Sequence, residues 1–298
     1  MFTGLSAFPL TPMNEQGINE RDVVSLVKHL ADANVDSIGV LGSTGSYVYL
    51  KTEERARIAK LCVENAGSVP VVVGIGALRT RDVLANAENA QQAGASGVLL
   101  APVSYQKLTD SEVYELYATV SRSLSIPLCV YDNPGTTHFE FSDELHGRIA
   151  QLDQVRSIKI PPVGNDLEAA RERISRLRAL IPSEVTLGIS GDPAAATGLN
   201  AGCDAWYSVI GGLYPHAALA LTRAAQAGDV QQAQSLSIAW EPLWALYREY
   251  GGSLRVAATI AELIGKVSQP CLPLPLKTLQ GDDRKRVEQV IEQLDFTS

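Results

Sequence analysis

Lys159 and Tyr131 are the two residues of this chain whose types and surroundings could carry chemistry together. Lys159 lies in Val155-Arg156-Ser157-Ile158-Lys159-Ile160, an apolar run with the signature of a buried strand. The preceding run of that kind, Ile126-Pro127-Leu128-Cys129-Val130, ends on Tyr131-Asp132-Asn133-Pro134-Gly135. An amine and a phenol at the ends of neighbouring strands suggest imine chemistry. A desolvated lysine loses its charge more readily and can attack a carbonyl, and a tyrosine within reach can shuttle the protons which that attack requires. Each residue alone has a plainer reading, a lysine snorkelling from a strand end and a packed aromatic. The remaining strand ends favour the first reading.

The second apolar run is followed by Gly42-Ser43-Thr44-Gly45-Ser46. Gly42 and Gly45 let the backbone come close to a ligand, and Ser43 and Thr44 add donors suited to a carboxylate. Such turns are common loop chemistry, but opposite a lysine this one has a natural use as a clamp for a 2-keto acid. The seventh run leads into Ser190-Gly191-Asp192, and the eighth into Tyr207-Ser208-Val209-Ile210-Gly211-Gly212. No paired His, Asp or Glu ligands stand at strand ends, so neither a metal nor another cofactor is expected. His138 and His216 lie near the same loops and read as loop residues.

The elements that must position these residues alternate along most of the chain. Strands are expected at Gly4–Phe8, Ser37–Leu41, Val69–Gly74, Gly97–Ala101, Leu128–Tyr131, Val155–Ile160, Val185–Ile189 and Ala205–Val209, with helical patterns beginning near Glu20, Thr52, Thr80, Thr109, Ser142, Asp166, Pro193 and Pro215. Thr52 and Thr109, each followed by acidic residues, read as helix caps, and Ile58, Leu61 and Cys62 mark a buried stripe. Eight βα units in a chain of 298 residues predict an α/β fold, a (β/α)8 barrel over residues 1–225. No Gly-x-Gly-x-x-Gly turn follows the first strand, which argues against a dinucleotide-binding sheet; Gly74-Ile75-Gly76-Ala77 reads as a tight βα turn. Residues 226–298 are expected to form a C-terminal helical extension packed on the barrel, with three helices at Val230–Tyr250, Ser253–Ile264 and Asp282–Leu294.

Hydrophobic residues make up 46% and charged residues 19% of the chain, as in a compact folded protein. The formal net charge of −8, with no compensating basic stripe, argues against nucleic acid. Arg171, Arg173, Arg176 and Arg178 recur at helical spacing beside Glu168 and Glu172 and read as a solvated helix face. Cys62, Cys129, Cys203 and Cys271 are far apart and read as buried thiols of a reducing compartment. No leader or membrane-spanning run is evident, so a cytoplasmic protein is expected.

With these residues in view, the chain resembles the dihydrodipicolinate synthase/N-acetylneuraminate lyase family of class I aldolases and lyases. The resemblance covers essentially the whole chain: Thr11-Pro12, Gly42-Ser43-Thr44-Gly45, Tyr131-x-x-Pro134-Gly135, Ile158-Lys159, Ser190-Gly191-Asp192 and the helical tail. It implies a Schiff base between Lys159 and pyruvate or another 2-keto acid, with Tyr131 as proton relay. Thr44 would support the relay and the keto-acid carboxylate with Ser43 beside it, and Tyr207 would touch pyruvate through its backbone. It also implies a homo-oligomer, a dimer or tetramer, in which Tyr105 is the nearest candidate to reach across a subunit contact, although Pro102-Val103-Ser104-Tyr105-Gln106 departs from the synthase pattern.

Two further departures bear on substrate. Synthases have Glu where this chain has Ser46, and an arginine where it has Thr136. A threonine cannot replace the bidentate contact that arginine makes with the carboxylate of aspartate semialdehyde, so the loop reads as suited to hydroxyl-bearing substrates such as sugar acids. Arg79 is the candidate to compensate. The expected activity is a lyase or aldolase on pyruvate or a longer 2-keto acid, with an aldehyde as a candidate second substrate. A 2-keto-3-deoxy sugar-acid dehydratase or aldolase and a true synthase are the enzymatic alternatives. A catalytically idle ligand-binding homologue need not keep Lys159, Tyr131 and Thr44 together, and this chain has all three.

Overall fold

Strong β-formers on short runs, each bounded by turn residues, close into a barrel rather than an open sheet. The computed structural model describes residues 1–294. Its parallel strands are β1 (Gly4–Ala7), β2 (Ser37–Val40), β3 (Val71–Gly74), β4 (Gly97–Leu100), β5 (Leu128–Tyr131), β6 (Val155–Ile160), β7 (Thr186–Ser190) and β8 (Ala205–Ser208). Each pairs with its sequence neighbours, and β1 pairs with both β2 and β8, which closes the ring. The outer helices are α1 (Glu20–Asp32), α2 (Thr52–Asn65), α3 (Thr80–Gln92), α4 (Asp110–Ser123), α5 (Asp143–Ala150), α6 (Leu167–Arg178), α7 (Ala195–Asn200) and α8 (Pro215–Gln226). All eight expected strands and the helical pattern after each are present.

The two faces of the strands feed two separate cores. Ile38, Val40, Val98, Leu100, Val130, Ile158 and Trp206 point outward against the helices in one large cluster. Phe2, Phe8, Val72, Leu99, Cys129, Tyr131 and Tyr207 point inward and fill the barrel. Because side chains alternate along a strand, the inward set of β6 includes Ser157 and Lys159. The register of β5 against β6 shifts between Leu128 and Cys129 and ends with Tyr131 opposite Lys159. That bulge leaves Arg156 exposed and sends the Tyr131 and Lys159 side chains to the same end of the barrel interior.

Two local expectations need correction. Thr52 is the first helical residue of α2, not its cap; Lys51 holds the cap position, and its backbone N–H donates to Glu54 Oε2 at 2.8 Å. Thr109 does cap α4, accepting from the Glu112 N–H while Glu112 accepts the Thr109 N–H. In the extension, the single helix expected over Val230–Tyr250 is two, α9 (Val230–Ala239) and α10 (Glu241–Glu249), followed by α11 (Ser253–Leu263) and α12 (Gly281–Leu294). Pro242 lies at the start of α10, where a residue without an N–H begins a helix but cannot continue one.

The arginine-rich face of α6 is also more engaged than a solvated face would be. Arg173 and Arg176 both reach Asp143 at the start of α5, and Arg178 pairs with Asp204 just ahead of β8. The extension is bound to the barrel by aromatic rings and buried polar contacts. Trp206 on the outer face of β8 lies 6.5 Å from Trp240, which lies 5.7 Å from Trp244. The Ser268 N–H donates to Asp22 on α1 at 2.6 Å. Within the extension, buried Glu262 accepts from Arg284 at 2.7 Å and from Thr278 at 3.1 Å. All four cysteines are free and buried, and no helix among the described residues is long and apolar enough to cross a membrane.

Candidate active site

Lys159 is 5% exposed at the end of β6, and its ammonium faces three aromatic rings. Nζ lies 4.1 Å from the Tyr131 ring centroid, 4.2 Å from Phe8 and 5.4 Å from Tyr207. Aromatic faces favour a cation in a site that excludes water. An iminium formed on the same nitrogen is also a cation and would keep those three contacts. The rings are held in place from behind. Tyr207 Oη lies 2.7 Å from Ser157 Oγ and 3.4 Å from Cys129 Sγ, and burial pushes its phenol well above the usual range. The Tyr207 ring fits because β7 has no side chain at Gly188: a Cβ there would stand 2.2 Å from the ring. Phe8 meets Tyr207 edge-on at 5.9 Å.

The hydroxyl of Tyr131 sits among polar neighbours. Asn133 Nδ2 donates to it at 2.9 Å and to Thr136 Oγ1 at 3.0 Å, and Ser43 Oγ lies 3.4 Å from it. Asn133 occupies the acceptor side of the phenol, which leaves the phenolic proton free to move toward a ligand. The backbone N–H of Asp132 donates to the Lys159 carbonyl at 3.0 Å, tying the two strand ends together. Behind that bond the Asp132 carboxylate faces His146 Nε2 at 3.3 Å, with the imidazole stacked on Phe141 at 4.9 Å between centroids.

These groups open onto a cavity of about 540 Å³, within the range of small-molecule sites. Ser43, Thr44 and Ser46 form one wall; Asn133, Thr136 and Ser190 form another; Tyr207 and Val209 close the β8 side. The hydroxylated turn owes its shape less to flexible glycines than expected. The left-handed backbone falls on Leu41 and Ser46, at φ 56° and 52°, whereas a Cβ on Gly42 would stand 2.8 Å from the Phe8 ring. Gly42 is thus needed for the packing of the cage. Asp192 stabilises the β8 loop: its carboxylate accepts from Trp206 Nε1 and Ser208 Oγ at 3.1 Å each, from the Val209 N–H at 3.0 Å and from the Ile210 N–H at 2.8 Å. Its burial raises its pKa, and those four donors oppose the rise.

Lys159, Tyr131, Ser43, Thr44, Tyr207 and Thr136 therefore converge on one cavity. Tyr105 does not line it; that side chain is 90% exposed on the β4 loop. Arg79 is exposed at the start of α3 and does not line it either, so the compensation expected of it has no geometric basis. His138 and His216 are both exposed. Sequence reasoning passed over Phe8, Tyr47, Asn133 and Arg248. Asn133 lies inside the quoted loop two residues after Tyr131, and a side-chain amide there was a readable signal. Arg248 lies in the extension and carried none. Among the described residues no cluster of three His, Cys, Asp or Glu could hold a metal ion.

The chain as a whole is similar to proteins of known sequence. The model of the dihydrodipicolinate synthetase family matches residues 1–294. The chain belongs to that family. Its members are lyases of the class I aldolase type, and so is this enzyme. A 4-hydroxy-tetrahydrodipicolinate synthase of Anaplasma marginale is 29% identical over 99% of this chain and 95% of its own. An uncharacterized DapA-like lyase of Halobacterium salinarum is 30% identical over 87% and 83%. Among solved structures, the dihydrodipicolinate synthase of Agrobacterium tumefaciens superposes with a TM-score of 0.94 at 43% identity, covering 99% of this chain and 98% of that one.

Proposed function

We propose that this family member is a Schiff-base-forming lyase or aldolase of the cytoplasm acting on pyruvate or a longer 2-keto acid, with Lys159 as the amine and Tyr131 as the proton relay. The observation that carries the reading is the convergence of a caged lysine and a hydrogen-bonded phenol on a cavity walled by the Ser43-Thr44 turn. The neutral amine of Lys159 adds to the keto carbon, forming a C–N bond while the carbonyl oxygen takes a proton from Tyr131. The resulting phenolate takes a proton back from the nitrogen and passes it to the hydroxyl, which leaves as water, and the iminium remains among the rings of Phe8, Tyr131 and Tyr207. The iminium draws electrons from the adjacent carbon. Removing a proton there gives an enamine that attacks an aldehyde; the reverse breaks a carbon–carbon bond. Ser43 and Thr44 hold the carboxylate of the keto acid, and no other cofactor is required.

A 2-keto-3-deoxy sugar-acid dehydratase or aldolase uses the same amine and is favoured by one feature, the wall of Asn133, Thr136 and Ser190. Those side chains are neutral and suit hydroxyl groups. The protein works on small molecules, as a homo-oligomer in which exposed Tyr105 is the candidate for a contact between copies.

The test is borohydride reduction in the presence of pyruvate. One reduced pyruvate should appear on the peptide containing Lys159 and disappear in Lys159→Ala. Labelling that persists in the variant would refute the assignment.

A further inference from the structure

The cavity above Lys159 is larger than a three-carbon keto acid needs, and the C-terminal extension contributes part of its lining. Its volume of about 540 Å³ lies in the range of sites that hold drug-sized ligands, whereas pyruvate is a molecule of six non-hydrogen atoms. Among the described residues, two cationic side chains line it. One is Lys159 on the floor, and the other is Arg248, the penultimate residue of α10. The one lining carboxylate, Asp192, is occupied by its four donors.

Arg248 is not a strut of the core. Its side chain is 58% exposed and pairs with Glu241, itself 56% exposed. Exposed pairs of this kind are weak and exchange readily. Gly251 and Gly252, which follow in the same lining, take φ of 69° and 138°, and apart from their chain neighbours no atom lies within 4 Å of where their Cβ atoms would stand. Ser253 and Leu254 then continue the lining.

We infer that Arg248 reads a carboxylate at the far end of the substrate, so that this site takes 2-keto acids carboxylated at both ends. The inference rests on the imine reading above and narrows it. The near carboxylate lies at the Ser43-Thr44 turn, the carbon chain crosses the neutral wall of Asn133, Thr136 and Ser190, and the far carboxylate meets the guanidinium in a bidentate contact. A single guanidinium shared with Glu241 matches one negative charge better than the two of a phosphate.

The experiment compares 2-keto-3-deoxyglucarate with 2-keto-3-deoxygluconate, acids of equal length whose far carbon is a carboxylate in one and a hydroxymethyl group in the other. Borohydride labelling of Lys159 is titrated with each, and with pyruvate, counting any trapped adduct. Wild type should reach half-labelling with the dicarboxylate at a concentration roughly 10–100-fold lower. Arg248→Gln should erase that ratio, and Glu241→Gln, which frees the guanidinium, should widen it. Arg79→Gln, outside the cavity, should leave it unchanged. Equal labelling by the two acids in wild type, with pyruvate still labelling Lys159, would overturn the inference and leave the imine reading intact. An Arg248→Gln variant that weakens both acids equally would also overturn it, since a structural role does not discriminate between them. Absence of any pyruvate label would sink both.

Discussion

Tyr131 and Lys159 stand opposite each other as the last registered pair of β5 and β6, and the lysine ammonium lies 4.1 Å from the centre of the tyrosine ring. The proposed relay is therefore built into the sheet itself. Neither residue reaches the other through a loop, so the geometry is as rigid as the barrel.

Tyr131→Phe should keep the ring under Lys159 and remove only the hydroxyl. Turnover should fall by roughly 10²–10⁴-fold, the usual cost of a lost general acid–base group, while pyruvate trapping on Lys159 survives at a reduced rate. Near-normal turnover would leave Tyr131 as a packing residue.

The enzyme should be a poor dihydrodipicolinate synthase. Thr136 accepts a hydrogen bond from Asn133 at the position where the family resemblance calls for a guanidinium. A missing charge-assisted hydrogen bond is worth on the order of 1.5–3 kcal/mol, or about 10–150-fold in specificity. Measuring kcat/KM with pyruvate and aspartate semialdehyde in wild type and Thr136→Arg checks this. The variant should gain, and synthase-like efficiency in the wild type would refute the expectation.

Gly188→Ala should damage the cage without touching a reactive group. The new methyl carbon would stand 2.2 Å from the Tyr207 ring, whose hydroxyl is held by Ser157 and cannot retreat freely. Overpacking of this kind costs about 1–3 kcal/mol, visible as a lower urea midpoint. Imine trapping should slow in parallel. An unchanged midpoint would mean that the ring has room to move.

Stability should rise with pH through the region below about 6.5, the ordinary histidine value, because His29 resists protonation in the folded state. Its burial lowers the pKa first, and Lys266 adds to that, with Nζ 3.4 Å from Nδ1. The unfolded chain takes up the proton more readily, so the folded state loses stability as pH falls through that window. Urea midpoints between pH 5 and 8 should show the slope, and His29→Gln should flatten it. An equal slope in the variant would assign it to other groups.

The alternation of short apolar runs with capped amphipathic helices was enough to read the barrel, because each strand announces itself locally and parallel strands need a crossover between them. The juxtaposition of Tyr131 and Lys159 was legible for the same reason: each ends a run, and strand ends in a barrel share one rim. The division of α9 from α10 was written at Pro242, yet the apolar pattern runs through it and hid the break.

By itself, then, the amino-acid order determined the strands, the rim and the two residues at its centre. Only the tertiary structure decided what surrounds them. Phe8 and Tyr207 become walls of a cation cage because β8 and β1 close the ring after β7, so that their inward side chains meet Lys159 across the barrel interior, a relation spanning most of the chain. Arg248 reaches the cavity because the extension folds back over the barrel. Local periodicity reports which face of an element is buried, but not which distant element will cover it. Contacts between distant elements are settled by packing, where shape and unpaired polar groups decide.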